Sequence, residues 1–246
     1  MKIIGIIPSR YASSRFPGKP LADIAGKPMI QRVYERAMKC DRLADVIIAT
    51  DDQRIVEGVI SFGGSVMMTS PEHTNGTERC AEVARKYGAD YYINIQGDEP
   101  FIFPEQIDTL CGLLNGEVQL ATLVKSITDP ELLTNPNTMK VVFTKNMDAL
   151  YFSRSCIPYI REASQPDWIN RHQYYRHIGI YAYRSDVLQE VVQLPISDLE
   201  RAESLEQLRW LENGYRIKVG LTDYESIGVD VPEDIKRALD FHRSEL

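Results

Sequence analysis

Apolar residues in this chain fall into short continuous runs, separated by stretches in which they recur every three or four positions. Residues 3–7, Ile3-Ile4-Gly5-Ile6-Ile7, form one such run, closed by Pro8, and predict a buried strand. A loop rich in Gly and Pro follows. Behind Pro28, the residues Met29, Ile30, Val33, Tyr34, Ala37 and Met38 keep helical spacing. The run 46–49 predicts a second strand, with Thr50, Asp51 and Asp52 capping a helix through Ile55, Val59 and Phe62. Strands are then predicted over 65–68 and 91–95 with a helix over 77–87 between them, followed by a helix over 105–114 and a strand over 120–124. This alternation predicts an α/β fold, a mostly parallel sheet with helices on both faces and right-handed crossovers. In such a fold ligands sit outside the carboxyl ends of the strands.

Beyond about residue 127 the pattern shortens. Strands over 139–143, 149–152, 177–183 and 217–221, with helices over 185–193, 198–213 and 232–242, predict additions to the sheet and a small lobe over its open edge. There is no internal repeat. The expectation is a single domain over 1–246, with a first half up to about 127 and a second half from about 128.

The chain has 246 residues, 43% of them hydrophobic, enough for one large domain with a sizeable core. No stretch reaches the ~18 consecutive apolar residues of a membrane span, and the run 3–7 is too short for a signal peptide. The sequence therefore predicts a cytoplasmic protein with no membrane partner. Cys40, Cys80, Cys111 and Cys156 are scattered, with no C-x-x-C pair, and the four histidines show no metal spacing. A formal charge of −7 argues against nucleic acid as a partner. Locally the sign reverses. Between residues 9 and 27 stand Arg10, Arg15, Lys19 and Lys27 against the single acid Asp23, which predicts a small polyanionic ligand.

That basic stretch is Ser9-Arg10-Tyr11-Ala12-Ser13-Ser14-Arg15-Phe16-Pro17-Gly18-Lys19-Pro20-Leu21, directly after the first strand. Three cations in one loop can neutralise a triphosphate, and Gly18 permits a close backbone approach. It is not a Walker A loop, because Gly18-Lys19 is followed by Pro20, and it is not G-x-G-x-x-G. The segment Gln96-Gly97-Asp98-Glu99-Pro100 places a carboxylate at the end of the strand over 91–95, a position suited to a phosphate-bound Mg²⁺. Asp98 reads equally as part of a Gly-Asp turn. Asp230, in Gly228-Val229-Asp230-Val231-Pro232-Glu233, reads either as a second metal carboxylate or as a helix cap with Glu233. His73-Thr74-Asn75-Gly76-Thr77-Glu78-Arg79 combines a capping register with groups able to reach a base and ribose.

Read in order, these segments resemble the family of 3-deoxy-manno-octulosonate (Kdo) cytidylyltransferases. The resemblance also rests on Ala149-Leu150-Tyr151-Phe152-Ser153-Arg154, Arg176-His177-Ile178-Gly179-Ile180-Tyr181 and Leu205-Glu206-Gln207-Leu208-Arg209, and it covers nearly the whole chain. It departs at Ser9, where Ala is usual, and at Val231, where Thr is usual. The resemblance implies a nucleotide-diphospho-sugar transferase-like fold with a nucleotide-binding half up to about residue 127 and a sugar-binding and dimerisation half from about 128, a cytoplasmic homodimer, and a need for Mg²⁺. The implied reaction transfers CMP from CTP to the anomeric hydroxyl of Kdo, releasing pyrophosphate, for lipopolysaccharide biosynthesis. Arg10, Arg15 and Lys19 would then hold the triphosphate, and Asp98 and Asp230 the metal, with Arg10, Lys19, Asp98 and Asp230 as the catalytic set. His73, Gly76, Thr77, Arg79 and Gln96 would lie near the ribose and base. Arg154, His177, Tyr181, Glu206 and Gln207 would line the sugar pocket, with Arg154 and His177 as cations for the Kdo carboxylate. A relative charging an amino-substituted Kdo or a nonulosonic acid, and a non-catalytic nucleotide-binding protein, remain the alternatives.

Overall fold

The computed structural model describes residues 1–13 and 15–244. The first strand, β1 (Ile3–Ser9), is apolar at every position that must be buried on both sides of a central strand. Ile3 and Ile7 point into one core, Ile4 and Ile6 into the other. The basic loop contains a 3-10 turn at Lys19–Leu21 and leads into a two-residue hairpin, β2 (Asp23–Ile24) and β3 (Lys27–Pro28). There follow α1 (Met29–Ala37), β4 (Asp45–Thr50), α2 (Gln53–Ser61), β5 (Val66–Met68), α3 (Gly76–Lys86), β6 (Tyr91–Asn94), α4 (Pro104–Gly112) and β7 (Leu120–Ser126). This is the predicted alternation, with no stated boundary moved by more than two residues.

The second half contains α5 (Pro130–Thr134), β8 (Lys140–Phe143), β9 (Ala149–Ser153), α6 (Trp168–Arg171), β10 (Tyr175–Arg184), α7 (Ser185–Val191), α8 (Asp198–Glu203), α9 (Gln207–Glu212), β11 (Ile217–Leu221) and α10 (Asp234–Ser244). The short elements α5 and α6 were not legible in the hydrophobic pattern. The single helix predicted over 198–213 is two helices. Ser204 adopts a left-handed conformation, φ 52°, which ends α8, and a separate turn then starts α9.

Among the described residues, nine strands form one sheet in the order β11-β7-β10-β6-β1-β4-β5, with β8 joined to β10 and β9 to β8. β6, β1, β4 and β5 are mutually parallel, as are β11 and β7. β10 runs antiparallel between β6 and β7, so the sheet is mixed rather than uniform. Helices cover both faces. Ile30 and Val33 of α1, Ile55 and Val59 of α2, and Leu110 of α4 pack on one side. Val83 of α3, Leu188 of α7, and Leu208 and Trp210 of α9 pack on the other. Cys40, Cys80 and Cys111 are buried free thiols, and no described helix is long and apolar enough to cross a membrane.

Candidate active site

The carboxyl ends of β1 and β6 open onto two adjoining clefts. One, of about 350 Å³, is lined by Arg10, Ser13, Arg15 and Lys19 from the basic loop and by Gln96, Gly97 and Asp98. The other, of about 280 Å³, lies between Pro8, Arg10, Asn94 and Gln96 and the start of α3 at Thr74, Asn75, Gly76 and Arg79. Arg10 borders both, and its Nη2 is buried without a partner. A cation left unsatisfied at the junction of two clefts suits an anionic ligand that spans them.

Two glycines shape this corner. Gly18 closes the basic loop with φ 73°, a conformation other residues adopt with strain, and its N–H donates to the Tyr11 carbonyl at 2.9 Å. Gly97 lies against β1. A Cβ there would stand 2.8 Å from the Pro8 carbonyl oxygen and 3.1 Å from Ser9 Oγ. Gly97→Ala must therefore push the Asp98 loop away from β1. A displacement of about 1 Å at the reacting groups is expected to lower kcat/KM on the order of 10²-fold. Steady-state kinetics check this, and a variant retaining half the parent value would remove the steric requirement.

Asp98 and Asp230 come together although 132 positions separate them in the chain. The segment before α10 crosses the sheet end, and the Val229 N–H donates to the Asp98 carbonyl at 2.8 Å. The same segment is held by Ser226 Oγ donating to Glu99, and by Glu225, which pairs with Lys125 at 3.2 Å and Arg176 at 2.5 Å. Lys19 Nζ then stands 2.9 Å from Asp98 Oδ2 and 3.6 Å from Asp230 Oδ1, while Arg15 Nη2 lies 3.0 Å from Asp230 Oδ1. The capping alternative for Asp230 is not realised, because Asp234 accepts the N–H groups of Asp230 and Val231. Two carboxylates that share one cation are placed to share another. Among the described residues no set of three or more His, Cys, Asp or Glu side chains gathers to hold a metal. A divalent ion here would complete its shell with ligand oxygens and water, the usual habit of Mg²⁺.

Around the smaller cleft, Asn75 caps α3 by accepting the Glu78 N–H at 2.8 Å, as its register predicts. His73 does not line the cleft; its Nε2 pairs with Glu82 at 2.5 Å on α3. Thr77 is buried, and its hydroxyl donates to Glu206 at 3.0 Å. Arg79 is fully buried and its Nη2 meets Asp51 at 2.8 Å. This corrects the reading of Asp51 as a helix cap. Asp52 alone caps α2, through the Arg54 N–H at 2.9 Å, while Asp51 is the counterion of a buried arginine. The signal that could have found it is its position immediately after a parallel strand, where Asp98 also sits.

The sugar-side residues share one sheet face. Tyr181 packs edge-on against Trp210 of α9, and His177 packs against Tyr181 and Phe152. Glu206 and Gln207 stand at the start of α9. Tyr181 Oη, His177 Nδ1 and Gln207 Nε2 are buried without partners, three polar atoms that a hydroxylated ligand could satisfy. Burial pushes the Glu206 carboxyl upward and the His177 imidazole down to about 3. His177 is thus neutral near pH 7 and not the cation expected for a carboxylate. Arg154 is anchored on the backbone. Its guanidinium donates to the carbonyls of Glu203 at 2.6 Å, Pro136 at 3.1 Å and Ser204 at 3.4 Å.

A bulge joins the two sides. The register of β10 against β7 shifts between Ile178 and Tyr181, and Thr122 Oγ1 fills the gap, 2.8 Å from the Ile180 carbonyl and 3.0 Å from His177 Nε2. The Gly179 carbonyl is turned outward by the shift and accepts Gln96 Nε2 at 2.7 Å.

A cytidylyltransferase family profile matches residues 4–219. A 3-deoxy-manno-octulosonate cytidylyltransferase of Parabacteroides distasonis is 58% identical, with 98% of each chain covered. The chain belongs to the 3-deoxy-manno-octulosonate cytidylyltransferase family. A further member, from Thermodesulfovibrio yellowstonii, is 50% identical to this cytidylyltransferase over 97% of each chain. The solved structure of a CMP:2-keto-3-deoxy-manno-octonic acid synthetase complexed with CTP superposes over all of both chains, with a TM-score of 0.93 and 46% identity. A glucose-1-phosphate thymidylyltransferase of Bacillus anthracis, described as putative, superposes with a TM-score of 0.64 at 18% identity, a likeness of fold alone. The cytidylyltransferase thus has the nucleotide-diphospho-sugar transferase fold.

Proposed function

We propose that this chain transfers CMP from CTP to the anomeric hydroxyl of Kdo, giving CMP-Kdo and pyrophosphate. The observation that carries the reading is the meeting of Asp98 and Asp230 on Lys19, in a cleft that Arg10 and Arg15 also line. The names of the relatives, and the CTP in the structurally similar synthetase, support the same choice of substrates.

In this reading Arg10, Arg15 and Lys19 bind and orient the triphosphate, so that the α-phosphorus faces the sugar pocket across Gln96. Negative charge grows on the pyrophosphate as it leaves. Cations fixed near it stabilise the transition state more than the ground state. Mg²⁺, held by Asp98 and Asp230, would supply Lewis-acid polarisation of the phosphoryl oxygens. The unpartnered atoms of His177, Tyr181 and Gln207 receive sugar hydroxyls and hold the attacking oxygen in line. No covalent enzyme intermediate is needed. A homodimer formed through the second half, a cytoplasmic location and a product destined for lipopolysaccharide belong to the same proposal.

Pyrophosphate release with CTP and Kdo, with and without Mg²⁺, tests it. Turnover that needs the metal and favours Kdo over an amino-substituted Kdo and over sialic acid is expected. Faster turnover of either analogue would keep the reaction and change the sugar. No pyrophosphate release with any of them would overturn the reading.

A further inference from the structure

The floor of the smaller cleft holds a group that the phosphate chemistry does not use. Arg79 lies in the first turn of α3, has no solvent-exposed surface, and borders the cleft beside Gly76, Asn94 and Gln96. A guanidinium does not lose its proton in proteins and offers five N–H donors and no acceptor. Burying one is costly unless it is paired. Two strand ends supply partners here. Asp51, next after β4, receives Nη2, and Thr69, next after β5, receives Nη1. Arg79 Nε stays buried with no partner, a cost that an acceptor brought by a ligand would remove.

We propose that Asp51 is a positioning residue that fixes Arg79 as a donor-only surface beneath the nucleobase, and that this pair makes the cleft choose cytosine over uracil. The inference rests on the cytidylyl-transfer reading above. Cytosine presents two neighbouring acceptors, O2 and N3. Uracil keeps O2 but carries a hydrogen on N3, so a surface that can only donate meets a donor there. Such a mismatch leaves polar groups unpaired in a desolvated site, which is how buried hydrogen-bonding groups discriminate between ligands of equal size. Asp51 does not line the cleft, and its effect passes through Arg79. Without its charge, asparagine in its place offers Nη2 only a weaker, neutral acceptor, and the guanidinium turns away from the base edge more easily.

The test is pyrophosphate release at saturating Kdo with CTP or UTP, for the parent, Asp51→Asn and Asp51→Glu, with melting temperatures measured alongside. The parent is expected to favour CTP. Asp51→Asn should reduce the CTP/UTP ratio of kcat/KM about tenfold, equivalent to the loss of one good hydrogen bond, through a higher KM for CTP. Asp51→Glu, which keeps the charge, should recover part of the ratio. A ratio unchanged within about twofold, whatever happens to the melting temperature, would reduce Asp51 to a structural counterion and overturn the inference. If Asp51→Asn does not fold, Thr69→Val, which removes the other anchor, is read for the same ratio and the same two outcomes. A parent that uses UTP as well as CTP overturns this inference together with the cytidylyl reading. A parental preference that survives both variants overturns only the inference.

Discussion

Asp98→Asn is expected to lower kcat about 10³-fold in the proposed reaction, where losing a metal ligand would remove several kcal/mol of transition-state stabilisation. The protein should still melt within about 2 °C of the parent, a shift that corresponds to 1 kcal/mol or less at this chain length. The reason is geometric. The Asp98 side chain faces the cleft and Lys19, while the fold uses the backbone carbonyl of the same residue to hold Val229. Asparagine keeps that carbonyl and the side-chain shape and removes only the charge. Asp230→Asn should act alike, and the double variant should lose little more than either single one, because in the proposed site both carboxylates would serve one cation. Initial rates and a thermal melt decide it. A folded Asp98→Asn protein retaining more than a tenth of the parent rate would separate this residue from the metal.

Lys140→Met should instead cost stability, roughly 3–5 kcal/mol, as expected when a buried charge partner is removed from an ordered set. Lys140 is fully buried and makes no close ion pair among the described residues, although the Glu203 carboxylate acts on it from further off. Its ammonium donates to the carbonyls of Asn135 at 2.9 Å, Thr138 at 2.6 Å and Arg154 at 2.6 Å, and burial lowers its pKa. Three peptide dipoles thus replace an anion, and they tie the turn after α5 to the end of β9. Methionine fills the space but donates nothing, so the Thr138 and Arg154 carbonyls lose this donor and the Asn135 carbonyl keeps only the Thr138 N–H at 3.1 Å. A fall of about 10 °C in melting temperature is expected for a chain of this size. Calorimetry or chemical denaturation measures it, and a melt within about 2 °C of the parent would show that water satisfies those carbonyls cheaply.

The same neighbourhood explains what the sequence concealed. The strand-end positions of Asp98, Lys19 and Gln96 were legible because apolar runs mark strands and a parallel sheet puts its ligands at their ends. Asp230 was ambiguous in sequence, since a cap and a ligand-facing carboxylate before a helix look alike, and only the fold shows Asp234 taking the capping role while the Val229 N–H ties the segment to Asp98. Arg154 looked like a free cation because sequence shows its charge and not the three carbonyls that curl around it. Asp51 looked like a cap because it shares a pair with Asp52, and the arginine that claims it lies 28 positions away. The break at Ser204 was invisible because the apolar spacing of 198–213 continues through it. Periodicity reports which face is buried, and a turn that preserves the face leaves no trace in it.

The place of β10 in the sheet has a consequence for how this protein is made. β6 and β7 follow one another in sequence, yet they do not pair. The slot between them is filled by β10, whose residues are made some fifty positions after β7 ends. Until Tyr175–Arg184 leaves the ribosome, two apolar strands wait with open edges of unpaired N–H and C=O groups, a template for association with other chains. A fragment ending near residue 127 would keep those edges permanently. The stretches before and after about residue 127 are therefore not separate folding units. The strand that carries His177 and Tyr181 is also the one that closes the sheet between β6 and β7, so the first half has no finished sheet until the second half is made.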